Sequence, residues 1–150
     1  SKSIYTKTHF VFNTDGSKFD KLILKSNNKN KKDYLYMDGK AIFDFSINEV
    51  PKQINFLFKK KKIKEKKIDY FIFHQANKFL VNTIADKIHI SRSKVLYSIS
   101  KFGNTNSASI PLTMIVNAKF VKNCNLILSG FGVGLSWGSC QLKQKSIKTV

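Results

Sequence analysis

The chain is poor in the residues that would mark several common protein classes. It holds two cysteines, Cys124 and Cys140, in 150 residues, which excludes a disulfide-stapled scaffold and offers no CxxC metal site. No apolar run approaches the roughly 20 residues that a membrane helix needs. The longest candidate, Leu126 to Trp137, is short and interrupted by Gly130, Gly132 and Gly134. Nothing in the first residues reads as a secretory leader. These absences predict a soluble protein without a membrane span, in a reducing compartment such as the cytoplasm. Hydrophobic residues make up 42% of the chain, enough for a real core, so composition does not predict disorder.

Acidic residues are scarce too. Twenty-seven Lys and Arg against nine Asp and Glu give a net charge of +18, and so large an excess calls for a test of nucleic-acid binding. The detail argues against it. Arg92 is the only arginine, and lysine is a point charge without the planar fork that reads bases and phosphates. The densest run, Lys59 to Lys67, contains no aromatic on which a base could stack. It is expected to be a solvated helix end and loop. An acidic protein partner ranks ahead of nucleic acid.

Alternating Thr, Tyr, Val and Phe from Ser3 to Phe12 predict a strand, followed by an Asp15-Gly16-Ser17 turn and a short strand at Leu22 to Leu24. Ser26 to Lys32 is a polar loop and the best candidate boundary. Phe43, Ile47, Val50, Ile54 and Leu57 fall three and four apart, which predicts a helix over 38–60. Pro51 should kink it or start a second segment. Ile68 to Phe73 suits a buried parallel strand. Phe79 to Ile88 is amphipathic, Val95 to Ile99 is strand-like, and Ser107 to Val121 is helical with Pro111 near its start. Strands at Leu126 to Ser129 and Leu135 to Leu142 flank a glycine-rich turn. Strands alternating with helices predict an α/β layered fold.

Three segments could carry chemistry. His74, in Phe73-His74-Gln75-Ala76-Asn77, lies where a buried strand gives way to a helix, and sites collect at such carboxyl ends. A strand-capping histidine satisfied by backbone fits equally well. Gly103-Asn104-Thr105-Asn106-Ser107 also lies between strand and helix, though a turn with an N-cap explains it alone. Gly130-Phe131-Gly132-Val133-Gly134 could bring backbone N–H groups to a ligand or form a bulged hairpin. Taken together they say more. Asparagine has no useful pKa and can only donate or accept hydrogen bonds. An imidazole N–H and an amide N–H converging on one oxygen would stabilise an enolate there.

FHQAN, then KFGNTNSASIP, then SGFGVGLSWG resemble, in order, the carboxyl half of 3-oxoacyl-acyl-carrier-protein synthase III, a condensing enzyme of the thiolase superfamily. The stretch Met37 to Phe45 resembles that family's M-x-G-x-x-V-F-x-F helix start, and Asp15-Gly16-Ser17 its DGS turn. The resemblance implies half of a five-layered αβαβα thiolase-like fold, with one mixed sheet flanked by helices. Residues 33–142 would be the carboxyl-terminal domain proper, and 1–25 the last strand and turn of a preceding half, lying in that half's sheet. It implies a decarboxylative Claisen condensation between an acyl-CoA and malonyl-acyl carrier protein, initiating fatty-acid or related acyl-chain synthesis. His74 and Asn104 would donate to the thioester oxygen, and the backbone of Val133 would help hold a second oxyanion. Phe131 would line the inner pocket, and Met37, Gly39, Phe43, Ala76 and Asn77 the pantetheine tunnel. CoA and carrier-protein phosphopantetheine would act as substrate carriers, with no other cofactor and no metal. The expected partners are acyl carrier protein, acyl-CoA, a half carrying the catalytic cysteine, and a second copy in a homodimer.

This sequence also departs from that pattern. Neither Cys124 nor Cys140 resembles the family's nucleophile, and both are expected to be structural. Asn106 stands where the family has serine, and Val133 where many relatives have glycine. Phe79 replaces a basic residue that docks carrier protein in some relatives, a role left to Lys78. Without the other half the chain should expose a large apolar face and be inactive. The alternatives are a non-catalytic carrier-protein-binding module and a specialised condensing enzyme of lipid or secondary metabolism.

Overall fold

The computed structural model describes residues 9–26, 33–121 and 124–143. Its main sheet has four strands in the order β1-β6-β5-β4. They are β1 (His9–Thr14), β4 (Tyr70–Phe73), β5 (Asn125–Gly132) and β6 (Ser136–Lys143). β4 and β5 run parallel, and the other neighbours antiparallel. Strands β2 (Leu22–Lys25) and β3 (Tyr34–Met37) form a separate two-stranded sheet. The expected strand at Leu22 is present, and β3 adds a partner that sequence reading missed. Residues 1–8 and 27–32 of the expected first strand and polar loop lie outside the described residues.

Strand alternation explains why helices cover both faces. Phe71 and Phe73 join one buried cluster with Val50, Ile54 and Leu57 of α1 (Gly39–Lys61) and Leu80, Val81 and Ile84 of α2 (Lys78–Lys87). Ile72, between them, points the other way, into a cluster with Leu126, Val121, Ile110 and Met114. Phe71, Ile72 and Phe73 are fully buried, and each contributes about 1.5–3 kcal/mol relative to exposure.

Several expectations change. Pro51 does not divide the helix: α1 is continuous over 23 residues, with Asp38 as N-cap. An interior proline costs about 3 kcal/mol, and the burial of Phe45, Val50, Ile54 and Leu57 offsets it. Val95 to Ile99 is not a strand. Val95 makes one isolated bridge to Phe71, and the backbone then turns into the short helix α3 (Ile99–Phe102). The Ser98 N–H donates to Gln75 Oε1 at 3.0 Å, which takes the chain out of the ladder. The expected helix over 107–121 is broken into α4 (Ser109–Val116) and α5 (Ala118–Val121). At the break, Asn117 Nδ2 donates to the carbonyls of Tyr97 and Thr113.

Residues 1–25 are expected beside the sheet of a preceding half; within this chain His9–Thr14 pair with Gln141 to Ser136. Reciprocal bonds between the backbones of Asp15 and Leu135, at 2.8 and 3.0 Å, extend that pairing. β6 is a sheet edge until β1 satisfies its unpaired backbone groups.

The lysine run behaves as expected. Lys59, Lys60 and Lys61 form the last turn of α1, Lys62 caps it in a left-handed conformation, and the lysines from 59 to 67 are exposed. Arg92 is engaged by Asp86 in a two-point contact at 3.0 and 2.6 Å. That contact holds the Asp86 carboxyl below its usual value.

Candidate active site

His74 follows β4 at its carboxyl end, and its N–H donates to Ser129 O of β5 at 2.8 Å. This bond continues the parallel ladder one step beyond the strand and fixes the backbone beneath the ring. The imidazole packs edge-on against Phe131, with ring centroids 5.4 Å apart. Its Nδ1 lies 2.8 Å from Ser109 Oγ, at the start of α4. Burial pushes the imidazole below its ordinary value of 6.5, and a backbone hydrogen bond with Asn106 opposes that shift. In its neutral form one ring nitrogen donates and the other accepts.

Asn104 lies exposed in the loop between α3 and α4, after Gly103 at φ 66°. Its Oδ1 accepts from Asn106 N–H at 3.0 Å. The amide oxygen is thus occupied, which leaves Nδ2 as the donor of this side chain. Asn106 itself has φ 50°, a left-handed conformation that asparagine tolerates better than most residues. Its backbone also lies against the imidazole, and that contact raises the ring's pKa, as one in which the ring donates would. One residue thus connects the loop of Asn104 to the ring of His74.

Gln75 is a site residue that sequence reading quoted but gave no role. Its side chain is fully buried. Nε2 donates to Phe73 O at 2.9 Å, while Oε1 accepts from Ser98 N at 3.0 Å and Ile99 N at 3.4 Å. It ties the strand end bearing His74 to the start of α3, which leads into the Asn104 loop. Ser109 was missed as well. The only signal for either was a polar residue inside a motif bounded by apolar positions.

The remaining candidates spread outward from His74. Phe131 is buried beside it. Val133 sits in the tight turn between β5 and β6, 66% exposed. Asn77 caps α2, its Oδ1 accepting from Leu80 N at 2.7 Å, and Ala76 packs against the main core. Met37 ends β3 with its side chain exposed, and Gly39 begins α1 with open space around its Cα. Phe43 stacks on Phe79, centroids 5.7 Å apart, which joins α1 to α2 beside the strand end. Lys78 lies over the Tyr97 ring at 5.8 Å. A recess of about 250 Å³ lined by Val11, Gln53, Phe56 and Trp137 lies on β1, α1 and β6, and His74 does not line it. Among the described residues no group of His, Cys, Asp and Glu is arranged to hold a metal ion.

The order of these segments matches known proteins. Over 115 residues the chain is 44% identical to the beta-ketoacyl-[acyl-carrier-protein] synthase III of Streptococcus thermophilus, covering 73% of this chain and 35% of that one. Over 151 residues it is 35% identical to the enzyme of the same name from Prochlorococcus marinus, covering 89% of this chain and 44% of the relative. It therefore spans less than half the length of these curated relatives. Among solved structures, 3-oxoacyl-(acyl carrier protein) synthase III from Pseudomonas aeruginosa superposes with a TM-score of 0.82 at 29% identity, over 93% of this chain and 44% of that one. The fold is the carboxyl-terminal half of a thiolase-like architecture, a mixed sheet flanked by helices. A family model for the 3-oxoacyl-[acyl-carrier-protein (ACP)] synthase III C terminal matches residues 58–144, from the end of α1 past β6, and the chain belongs to that family.

Proposed function

We propose that this chain supplies the hydrogen-bond-donor half of an active site that condenses an acyl thioester with malonyl-acyl carrier protein. The observation that carries the reading is the link through Asn106. Its N–H holds Asn104 Oδ1, which leaves Nδ2 as the donor of that amide, and its backbone lies against the His74 ring. Two N–H donors without a carboxylate suit an enolate rather than proton transfer.

In this reaction the malonyl carboxylate leaves as carbon dioxide. The electron pair of the broken C–C bond passes into the thioester as an enolate, and its oxygen is where His74 and Asn104 donate. The enolate carbon then attacks an acyl carbonyl, and the thiolate that carried the acyl group departs. The electron pair comes from the substrate's own C–C bond, so the chemistry asks for no redox cofactor. CoA and phosphopantetheine act only as carriers. Burial pushes the Cys124 and Cys140 thiols up, away from the thiolate that such acyl transfer needs. This reading assigns the nucleophilic role to a cysteine outside this chain. Phe131 forms the inner wall beside His74. Met37, Gly39, Phe43, Ala76 and Asn77 line the approach for pantetheine, Val133 offers a backbone N–H to the second oxyanion, and Lys78 meets the acidic carrier. The apolar surface left by this chain is covered by the cysteine-bearing half and a second copy. Soluble substrates and the lack, among the described residues, of a helix fit to cross a membrane suit the cytoplasm.

The test separates the two half-reactions in the intact protein. His74→Ala and Asn104→Ala should each slow malonyl decarboxylation by about 10²–10³, the usual effect of removing one oxyanion donor. Acyl transfer to the cysteine should change much less. Equal losses in both steps would refute the assigned roles.

A further inference from the structure

One charged surface of the chain plays no role in the site. Between Lys59 and Lys67 stand seven lysines and one carboxylate, Glu65. All seven lysines are exposed. Among the described residues no carboxylate pairs with any of them, and Glu65 itself is taken by Lys94 Nζ at 3.4 Å.

The run is a folded ridge rather than a loose loop. Its backbone is held by bonds from Ile63 N to Phe58 O, Lys67 N to Lys64 O and Ile68 N to Glu65 O, each 2.9 Å. Ile63 packs against the main core, and Ile68 is 1% exposed. Between these two anchors the lysines project from the end of α1 and from a short 3-10 turn, Glu65–Lys67. The dipole of α1 favours cations in its last turn, Lys59 to Lys61, but not Lys64, Lys66 and Lys67 beyond it. Phe56, one turn before Lys60 on the same helix face, is 48% exposed, and Lys60 Nζ lies 5.1 Å from its ring centre.

Like charges held so close repel one another, and an anionic surface relieves that repulsion. The kind of charge selects the partner. Protein interfaces favour arginine and are depleted in lysine. Base edges are read by the arginine fork, and Arg92, the only arginine, is bound to Asp86. A bilayer presents phosphates without fixed register, where lysine point charges act almost independently. An exposed aromatic beside them suits the headgroup boundary.

We propose that the ridge from Lys59 to Lys67 docks the protein on a membrane rich in anionic lipid headgroups. The ridge precedes β4 and His74 follows it, so the length of that strand, about 13 Å, separates the two. Docking therefore leaves the His74 end open to a water-borne carrier protein. Neither the docking nor its readout depends on how His74 acts.

Sedimentation of the intact protein with lipid vesicles reads the docking. Vesicles of phosphatidylcholine with about one third phosphatidylglycerol are compared with phosphatidylcholine alone, at about 0.1 M salt. The expected result is binding to the anionic vesicles only, lost as salt is raised towards about 1 M. Each lysine near such a surface contributes about five-fold in affinity, so the triple variant Lys59→Gln, Lys60→Gln, Lys61→Gln should bind about 10²-fold more weakly. The same loss of charge at Lys18, after β1, Lys40, in the first turn of α1, and Lys101, in α3, should cost less than about five-fold. All these side chains are exposed, so both variants should fold. No binding to anionic vesicles, equal binding to both kinds, or equal losses in the two variants overturns the proposal. So does stronger binding, at equal charge concentration, to polyglutamate or to an RNA duplex, which would assign the ridge to an acidic protein or to nucleic acid.

Discussion

Gln75→Leu probes the joint between fold and site most directly. The substitution roughly conserves volume, so it opens little cavity. It removes every hydrogen bond of a fully buried side chain. The buried Ser98 N–H is left without its acceptor at 3.0 Å, at a cost of about 1–3 kcal/mol. Phe73 O loses the amide donor at 2.9 Å, a further loss of about 1 kcal/mol. The bond from Ile99 N, at 3.4 Å, adds little. The expected destabilisation is about 2–4 kcal/mol, read as a lower urea midpoint at unchanged slope. Gln75→Glu gives an internal control. It keeps an acceptor for Ser98 N–H but sets a carboxylate against Phe73 O. Burial raises the pKa of the introduced carboxyl, and its protonated form can donate to that carbonyl. The variant should therefore recover stability, relative to wild type, as pH falls through the raised pKa. A Gln75→Leu protein within about 0.5 kcal/mol of wild type would refute the reasoning. So would a Gln75→Glu protein that gains relative stability as pH rises.

Three further outcomes are expected. The His74 pKa lies below 6.5 in the fold, so its contribution to stability should be complete above 6.5 and decline as pH falls below that value. Stability measured against pH in wild type and His74→Gln should show a steeper decline below 6.5 in wild type, and a wild type that gains stability from His74 on acidification would contradict it. Gly134 has φ +132°, and an added Cβ would lie 2.5 Å from Ser136 Oγ and 3.1 Å from Ser136 N. Gly134→Ala should thus cost about 1–3 kcal/mol in thermal unfolding, whereas Gly16→Ala, with open space around it, should be near neutral. The chain by itself leaves Phe12 74% and Ile115 71% exposed, so it should self-associate in sizing experiments. It should also form no acyl adduct on Cys124 or Cys140 with acyl-CoA, as read by mass spectrometry.

What the sequence made legible and what it hid follow from the range of the forces involved. The apolar run of β4 and the three-and-four spacing of α1 declare themselves, because burial acts residue by residue along a regular period. Pro51 misled because the local cost of a proline is smaller than the burial on either side of it. Val95 to Ile99 misled because β-branched and aromatic residues there have strand propensity, while Gln75, more than twenty residues away, captures the Ser98 N–H. That competition is tertiary and leaves no periodic trace. The same holds within the site. His74 and Asn104 stood out because their motifs lie at strand ends, but nothing nearby showed that Asn106 would join them. Its replacement of serine read as a mere departure from the family. At φ 50° it suits asparagine, and its backbone both orients the Asn104 amide and meets the His74 ring. The donors of this site are thus held by groups without chemical roles of their own: a left-handed asparagine backbone, a buried serine hydroxyl and a buried glutamine. The exposed amide of Asn104 and the ring of His74 depend on that support, so substitutions behind the site should change its chemistry before they unfold the domain.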